Sequence, residues 1–207
     1  MTPVSADLFE RPVVTLARLL IGATLLVDGV GGIIVETEAY RPDDPASHSF
    51  RGPTDRTAAM FGSRGHIYVY RSYGLHWCLN LVGGDLTGSA VLLRALQPTH
   101  GLDRMRERRG LADERRLCGG PGRLTQALGI TRALDGAALD QQPFQLFAPE
   151  GEPAVVAGPR IGITKAVEQP WRFGLAGSRY LSRPFPRDQA GAPASPVPPT
   201  GRSSPRE

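Results

Sequence analysis

The chain has 207 residues, 41% of them hydrophobic, and a formal net charge of +4, which suits one soluble domain, alone or with a tail. Two cysteines, Cys78 and Cys118, exclude a disulfide framework, and His48, His66, His76 and His100 lack zinc-ligand spacing, so a reducing, cytoplasmic protein is expected. Lys165 is the sole lysine, so 23 of the 24 basic residues are arginine, a bias that reflects either genomic base composition or phosphate recognition.

In chain order, the apolar run Val13–Val27 comes first. It is interrupted by Arg18 and Gly22 and is too short to span a bilayer. It also lacks the basic flank and small-residue cleavage site of a signal peptide. It predicts a core helix with Leu16, Leu19 and Leu20 on one face. Four strand-like runs follow, Gly32–Tyr40, His66–Tyr73, Leu75–Val82 and Ala90–Leu96, each bounded by Gly, Asp or Pro. The second and third meet at Tyr73-Gly74-Leu75, which predicts an antiparallel hairpin. The polar connection Arg41–Gly65 is long, as functional loops are, and carries His48 and Arg56.

Residues 99–117 are charged and helix-prone, and segment 101–123 holds seven arginines against four acids, a net of +3. Such a run is either a solvated helix face or a phosphate-facing patch. Gly119-Gly120-Pro121 opens a helix through Leu128, with Pro in the first turn, and a helix N-terminus of this kind can receive phosphate. Strands are expected at Phe144–Phe147, Arg160–Thr164 and Trp171–Ala176. Pro, Gly, Ser and Ala dominate from Arg187. The expected organisation is one domain over 1–183 and a disordered Pro-rich tail over 184–207.

Several residues could carry chemistry. In Ile34-Val-Glu-Thr-Glu-Ala-Tyr40 the strand period of two puts Glu36, Glu38 and Tyr40 on one face and Val35, Thr37 and Ala39 on the other. The two acids are either a wet face or the lining of a pocket beside an aromatic. Tyr68 and Tyr70 share a face of the next strand, where packing is the ordinary role of tyrosine. Tyr73, at the hairpin tip, is either anchored sideways or free to wedge into a partner. Asn80 and Arg94 sit inside apolar strands, where each needs a polar partner if buried.

These strings occur together and in order: Val35-Glu-Thr-Glu-Ala-Tyr40, Ala46-Ser-His-Ser49, Met60-Phe-Gly, Tyr68-Val-Tyr70, Tyr73-Gly74, Cys78-Leu-Asn80 and Val91-Leu-Leu-Arg94-Ala. Leu117-Cys-Gly-Gly-Pro121, Leu124-Thr-Gln-Ala-Leu128 and Arg160-Ile-Gly162 follow. From about Leu8 to Ser182 the chain resembles the alkyladenine (3-methyladenine) DNA glycosylases. The resemblance implies an α+β fold: one mixed domain with a curved, largely antiparallel sheet and surrounding helices. It makes Glu38 the general base that activates water. Tyr40, His48 and Tyr70 become walls of a base pocket, and Asn80 a gate against undamaged guanine. Tyr73 becomes the side chain that enters the duplex, and Arg94 a contact to the flipped nucleotide's backbone. Arg56, Gly120 and Arg123 are expected on DNA.

Two positions depart from the family pattern: Thr57 stands where Asn is common, and Gly122 where Ser is usual. The implied activity is removal of alkylated, or also deaminated, purines from double-stranded DNA by a monomeric enzyme without metal or organic cofactor. Lys165, remote in sequence from the Glu38 motif, leaves water as the expected nucleophile and no strand-nicking activity. The alternative is a non-catalytic nucleic-acid binder that uses Tyr68, Tyr70 and Tyr73 as a stacking platform.

Overall fold

In the computed structural model, which describes residues 1–186, the run Val13–Val27 divides in two. Helix α1 covers Val13–Leu19 and strand β1 covers Thr24–Val27, with Gly22 at φ 88° between them. The buried stripe of the helix is Val13, Leu16, Ala17 and Leu20, spaced i, i+3, i+4, i+7. Leu19 falls off that stripe and is 45% exposed, unlike the face read from the sequence. Asp28 and Gly29 sit at φ 50° and 72° and turn β1 into β2, Val30–Tyr40. Such a two-residue turn with both φ angles positive matches the twist of a hairpin.

The remaining strands are β3 (Ile67–Ser72), β4 (His76–Val82), β5 (Ala90–His100), β6 (Phe144–Phe147), β7 (Val155–Gly158) and β8 (Arg172–Leu175). They form one curved, wholly antiparallel sheet in the order β3-β4-β5-β2-β1-β6, with β8 on β2 and β7 on β8. Helices α1, α2 (Leu102–Arg109) and α3 (Pro121–Leu128) pack around it. This is the mixed single domain expected from the sequence.

Strand β2 is the spine. Its first half pairs with β1 and the stretch Glu36–Glu38 pairs with β8, while β5 runs along its other edge. The crossing is tight: a Cβ on Gly31 would lie 1.9 Å from the Leu25 carbonyl oxygen, and one on Gly32 1.9 Å from that of Gln97. Only glycine admits this approach. The β2–β5 register skips Val35 on one strand and Arg94 on the other, and bulges of this kind re-aim side chains. Thr37 then faces α1, donating through Oγ1 to the Ala17 carbonyl (2.8 Å), and Glu36 and Glu38 face away from that helix toward Arg94.

The segment Arg160–Thr164, expected as a strand, is an irregular loop. Gly162 takes φ 79°, and the Ile161 N–H donates to a side chain rather than to a strand ladder. The neighbouring Val155–Gly158 forms β7 instead. Of the tail expected over 184–207, Pro184–Pro186 lie in the described region, with the Phe185 ring 4.0 Å from the Arg172 guanidinium. Residues 187–207 lie outside it.

Candidate active site

One face of the sheet floors a cavity of about 760 Å³ that brings together residues distant in the chain. Strand β2 supplies Tyr40, the loop after it supplies His48 and Arg56, β3 supplies Tyr68 and Tyr70, β4 supplies Asn80, and β5 supplies Arg94. The period-two spacing of Tyr68 and Tyr70 puts both rings on this face. They stack at 5.4 Å with planes 23° apart, and His48 meets Tyr70 edge-on at 4.4 Å. Tyr68 is ordinarily expected to pack, with stacking on a nucleic acid as the alternative. It is buried, yet it lines the cavity and its hydroxyl lies 3.2 Å from His48 Nδ1. Its shared face with Tyr70 was the signal for this role.

Glu38 lies beneath the floor, 0% exposed. Its Oε2 accepts from the Tyr40 hydroxyl (2.8 Å), and its Oε1 accepts from the Ile161 N–H (2.7 Å) and faces Arg94 Nη1 at 3.2 Å. Those three partners line the cavity and the carboxylate does not. Burial raises the Glu38 pKa above the usual carboxylate range. Arg94, the Ile161 N–H and the Tyr40 hydroxyl pull it down, and nearby Glu36 adds to the rise. Partial burial and the Arg56 guanidinium hold the His48 imidazole below its ordinary range, so it is neutral at pH 7. The Tyr68 hydroxyl is pushed up to about 12 by burial.

Asn80 stands opposite Tyr68 in the β3–β4 ladder and donates to the Tyr68 carbonyl (3.0 Å). Arg56 lies over the Tyr70 ring at 5.8 Å. Tyr40 is backed by Arg160, whose guanidinium sits 4.7 Å from its ring and pairs with the buried Asp44. The two acids of β2 are therefore buried, not the wet face of a strand. Glu36 accepts from Arg94, Arg172 and Ser182.

Tyr73 crowns the hairpin. The Leu75 N–H closes the turn on the Ser72 carbonyl (2.9 Å), with Tyr73 at φ 49° and Gly74 at φ 69°. A tyrosine in this left-handed region costs roughly 1–2 kcal/mol. Tyr73 is 88% exposed at the cavity mouth, so packing against the described residues offsets little of that cost.

The expected basic patch behaves differently. Arg106 pairs with Asp103 and Glu114, Arg108 donates to the Ala127 carbonyl, Arg109 to Gln126 and Arg104 to the Asp28 carbonyl. Four of its arginines thus make contacts within the domain. Arg115, Arg116 and Arg123 are exposed, and Arg123 also donates to the Gly119 carbonyl. Gly120 takes φ 133° and precedes Pro121 at the start of α3. Pro121 lines the cavity, whereas Gly120 and Arg123 do not.

Both departures from the family pattern have local reasons. Thr57 closes its loop by accepting the Thr54 N–H (2.9 Å). A Cβ on Gly122 would come within 2.6 Å of the His76 ring, so serine there would displace this histidine. Lys165, far from Glu38 in sequence, is brought to the cavity rim and is exposed. Among the described residues no cluster of His, Cys, Asp or Glu could hold a metal ion, and no helix is long and apolar enough to cross a membrane.

The family model for methylpurine-DNA glycosylase matches residues 7–179. Relatives bearing the name "Putative 3-methyladenine DNA glycosylase" are similar over nearly their whole length. One from Rhizobium meliloti strain 1021 is 62% identical over 179 residues, covering 86% of this chain and 96% of that protein. One from Nitrosospira multiformis is 62% identical over 178 residues, covering 86% and 92%. One from Rhodopseudomonas palustris strain HaA2 is 60% identical over 184 residues, covering 88% and 92%.

Proposed function

Given that the chain belongs to the methylpurine-DNA glycosylase family, we propose that it removes alkylated purines from double-stranded DNA with a water activated by Glu38. The observation that carries this reading is a buried carboxylate of raised pKa under an aromatic cavity whose mouth bears an exposed tyrosine. A base inside a duplex is out of reach, so the nucleotide must swing out, at a cost of a few kcal/mol in lost stacking. Tyr73 fills the gap and offsets part of that cost. A purine alkylated at a ring nitrogen, as in 3-methyladenine or 7-methylguanine nucleotides, is cationic and gains from the faces of Tyr40 and Tyr70, while neutral His48 adds no opposing charge. Neutral undamaged bases gain less, and Asn80, pinned on the Tyr68 carbonyl, narrows the pocket against guanine's exocyclic amine.

Cleavage places positive charge on the sugar. An ionised Glu38 stabilises that charge and takes the water's proton. Because the carboxylate lies below the floor, the arriving nucleotide must first draw Arg94 or Tyr40 aside. Its phosphate competes for the Arg94 guanidinium, which gives that residue a role in both binding and unmasking. Cationic purines leave readily, so one carboxylate suffices. Hypoxanthine, a deaminated purine, needs a proton from elsewhere and is expected to be a poorer substrate. A non-catalytic stacking protein would have no use for the buried Glu38. The enzyme is taken to act as a monomer on nucleoid DNA in the cytoplasm, without a cofactor.

The direct test incubates the protein with duplexes that each hold one defined lesion and then cleaves abasic sites with alkali. Strand breaks that depend on 3-methyladenine or 7-methylguanine are expected. If neither lesion yields breaks, the reading is wrong.

Tyr73→Ala should weaken capture of the extruded nucleotide by about 1–3 kcal/mol in fully paired duplexes, the usual worth of a base–aromatic stack. The loss should shrink when the lesion is already unpaired. An equal loss on both substrates would make Tyr73 a packing residue.

Borohydride added during turnover should trap no protein–DNA adduct, and the product strand should stay intact until alkali is added. Sequence distance alone does not support this, since Lys165 reaches the cavity rim. The support is its exposure, because an amine nucleophile is normally activated in a desolvated setting or beside another cation. An adduct that vanishes in Lys165→Ala would replace water with the lysine.

A further inference from the structure

Glu36 is buried as completely as Glu38, 0% exposed, yet it does not line the cavity. Its Oε1 receives three donors: Arg94 Nε at 3.2 Å, Arg172 Nε at 2.7 Å and Ser182 Oγ at 2.8 Å. Its Oε2 accepts the Ser182 N–H. Arg94 thus presents two edges to two acids, Nε to Glu36 and Nη1 to Glu38, the latter also at 3.2 Å. The bulge that skips Arg94 in the β2–β5 register turns it toward both.

Arg172, opposite Glu38 in the β2–β8 ladder, gives its Nε to Glu36 and its Nη2 to the Arg183 carbonyl, with the Phe185 ring stacked on it. The segment 180–185 therefore forms a strap behind the catalytic strand, joined through Glu36 to the guanidinium that faces the cavity.

From this geometry we infer that Glu36 is a positioning residue for base release: it anchors the Nε edge of Arg94, leaving the Nη edge to divide between Glu38 and the nucleotide's phosphate. The inference rests on the general-base role proposed for Glu38. A guanidinium without this anchor would either collapse fully onto Glu38 or follow the phosphate out of the site. Anchored, it yields one edge while the other stays fixed.

The charges also balance: two carboxylates, Glu36 and Glu38, share two guanidinium groups, Arg94 and Arg172. The other groups facing Glu38 are the Tyr40 hydroxyl and the Ile161 N–H in contact, Tyr70 and Cys78 across the sheet, and Arg160 behind Tyr40. Removing the negative charge at Glu36 frees Arg94 to neutralise Glu38 alone and removes a repulsive neighbour, so Glu38 ionises at lower pH.

The test measures single-turnover release of 7-methylguanine from duplex DNA across pH, with folding followed by circular dichroism. Glu36→Gln should lower the plateau rate roughly 10–100-fold, as mispositioned groups do. It should also displace the acid limb downward by about half a pH unit or more, the direction set by loss of a like charge. Ser182→Ala, which takes one hydrogen bond from Glu36, a longer one (3.5 Å) from Arg94 Nη2 and no charge, should lower the plateau less and leave the limb in place. A Glu36→Gln protein with the wild-type limb, or a rate loss fully accounted for by its unfolded fraction, overturns the inference.

If Glu36→Gln does not fold, Ser182→Ala decides: a wild-type plateau rate would reject the role. The two readings separate cleanly. Full activity in Glu38→Gln sinks the general-base assignment. An inactive Glu38→Gln beside an unmoved limb in Glu36→Gln sinks only the role of Glu36.

Discussion

Glu38→Gln is expected to slow base release by roughly 10²–10⁴-fold, the usual cost of losing a general base, while affinity for lesion-bearing duplex stays close to wild type. Gln keeps the shape of Glu, and its carbonyl can still accept from the Ile161 N–H and Arg94 Nη1. The amide cannot take a proton from water or offer charge to the developing sugar cation.

The pH dependence sharpens the test. Catalysis needs the ionised form, and burial raises the Glu38 pKa, so wild-type activity should fall, as pH drops, at a higher pH than an exposed carboxylate would give. That limb should be absent from the residual rate of Glu38→Gln. Stability should move the other way. A carboxyl whose folded pKa is raised favours folding below its unfolded value and loses that contribution as pH rises through the folded one. The variant should therefore gain in melting temperature relative to wild type as pH climbs through that window. Near-normal turnover in Glu38→Gln would remove this residue from the mechanism.

The second large effect is expected at Arg94. Among the described residues, Arg94→Met leaves Glu38 without its one cation in contact and removes one of the two held by Glu36. Breaking a buried pair in this way costs about 3–5 kcal/mol, because a charge stays buried and uncompensated. At ~2–4 °C per kcal/mol for a chain of this size, the melting midpoint should fall on the order of 10 °C. The Glu38 pKa should rise further once its chief charge partner is gone. Whatever activity survives should then fall, as pH drops, at a higher pH than in wild type, opposite in sign to the shift expected for Glu36→Gln. Arg94→Lys restores a charge but not two guanidinium edges, and should recover part of the stability with less of the rate. Thermal unfolding and pH–rate profiles on the same samples check both halves. A Met variant that melts like wild type would mean that the two carboxylates do not depend on this guanidinium.

Much of the fold could be read from local pattern. The hairpin at Tyr73-Gly74, the helix opened by Gly120-Pro121 and the strand Phe144–Phe147 all appear as expected, because turn chemistry and strand alternation act over a few residues. The Asp28-Gly29 pair was an equally local hairpin signal, and reading it would have separated β1 from the helix within Val13–Val27. The common face of Tyr68 and Tyr70 was legible too, for the same reason of period two.

The site's chemistry was set by contacts no local pattern contains. Glu36 and Glu38 looked as much like a wet edge as a pocket lining. Their burial depends on Arg94, Ile161, Arg172 and Ser182, the last of them 146 residues from Glu36 in sequence. Arg160–Thr164 has the composition of a strand. It becomes a cavity wall because Gly162 breaks the extended run and the Ile161 N–H is claimed by Glu38. The same folding brings the distant Lys165 to the rim. Sequence alone determined which residues can stack, wedge or ionise. Which of them share one low-dielectric volume, and so which charge alters which pKa, was decided only when β5 and β8 closed on β2.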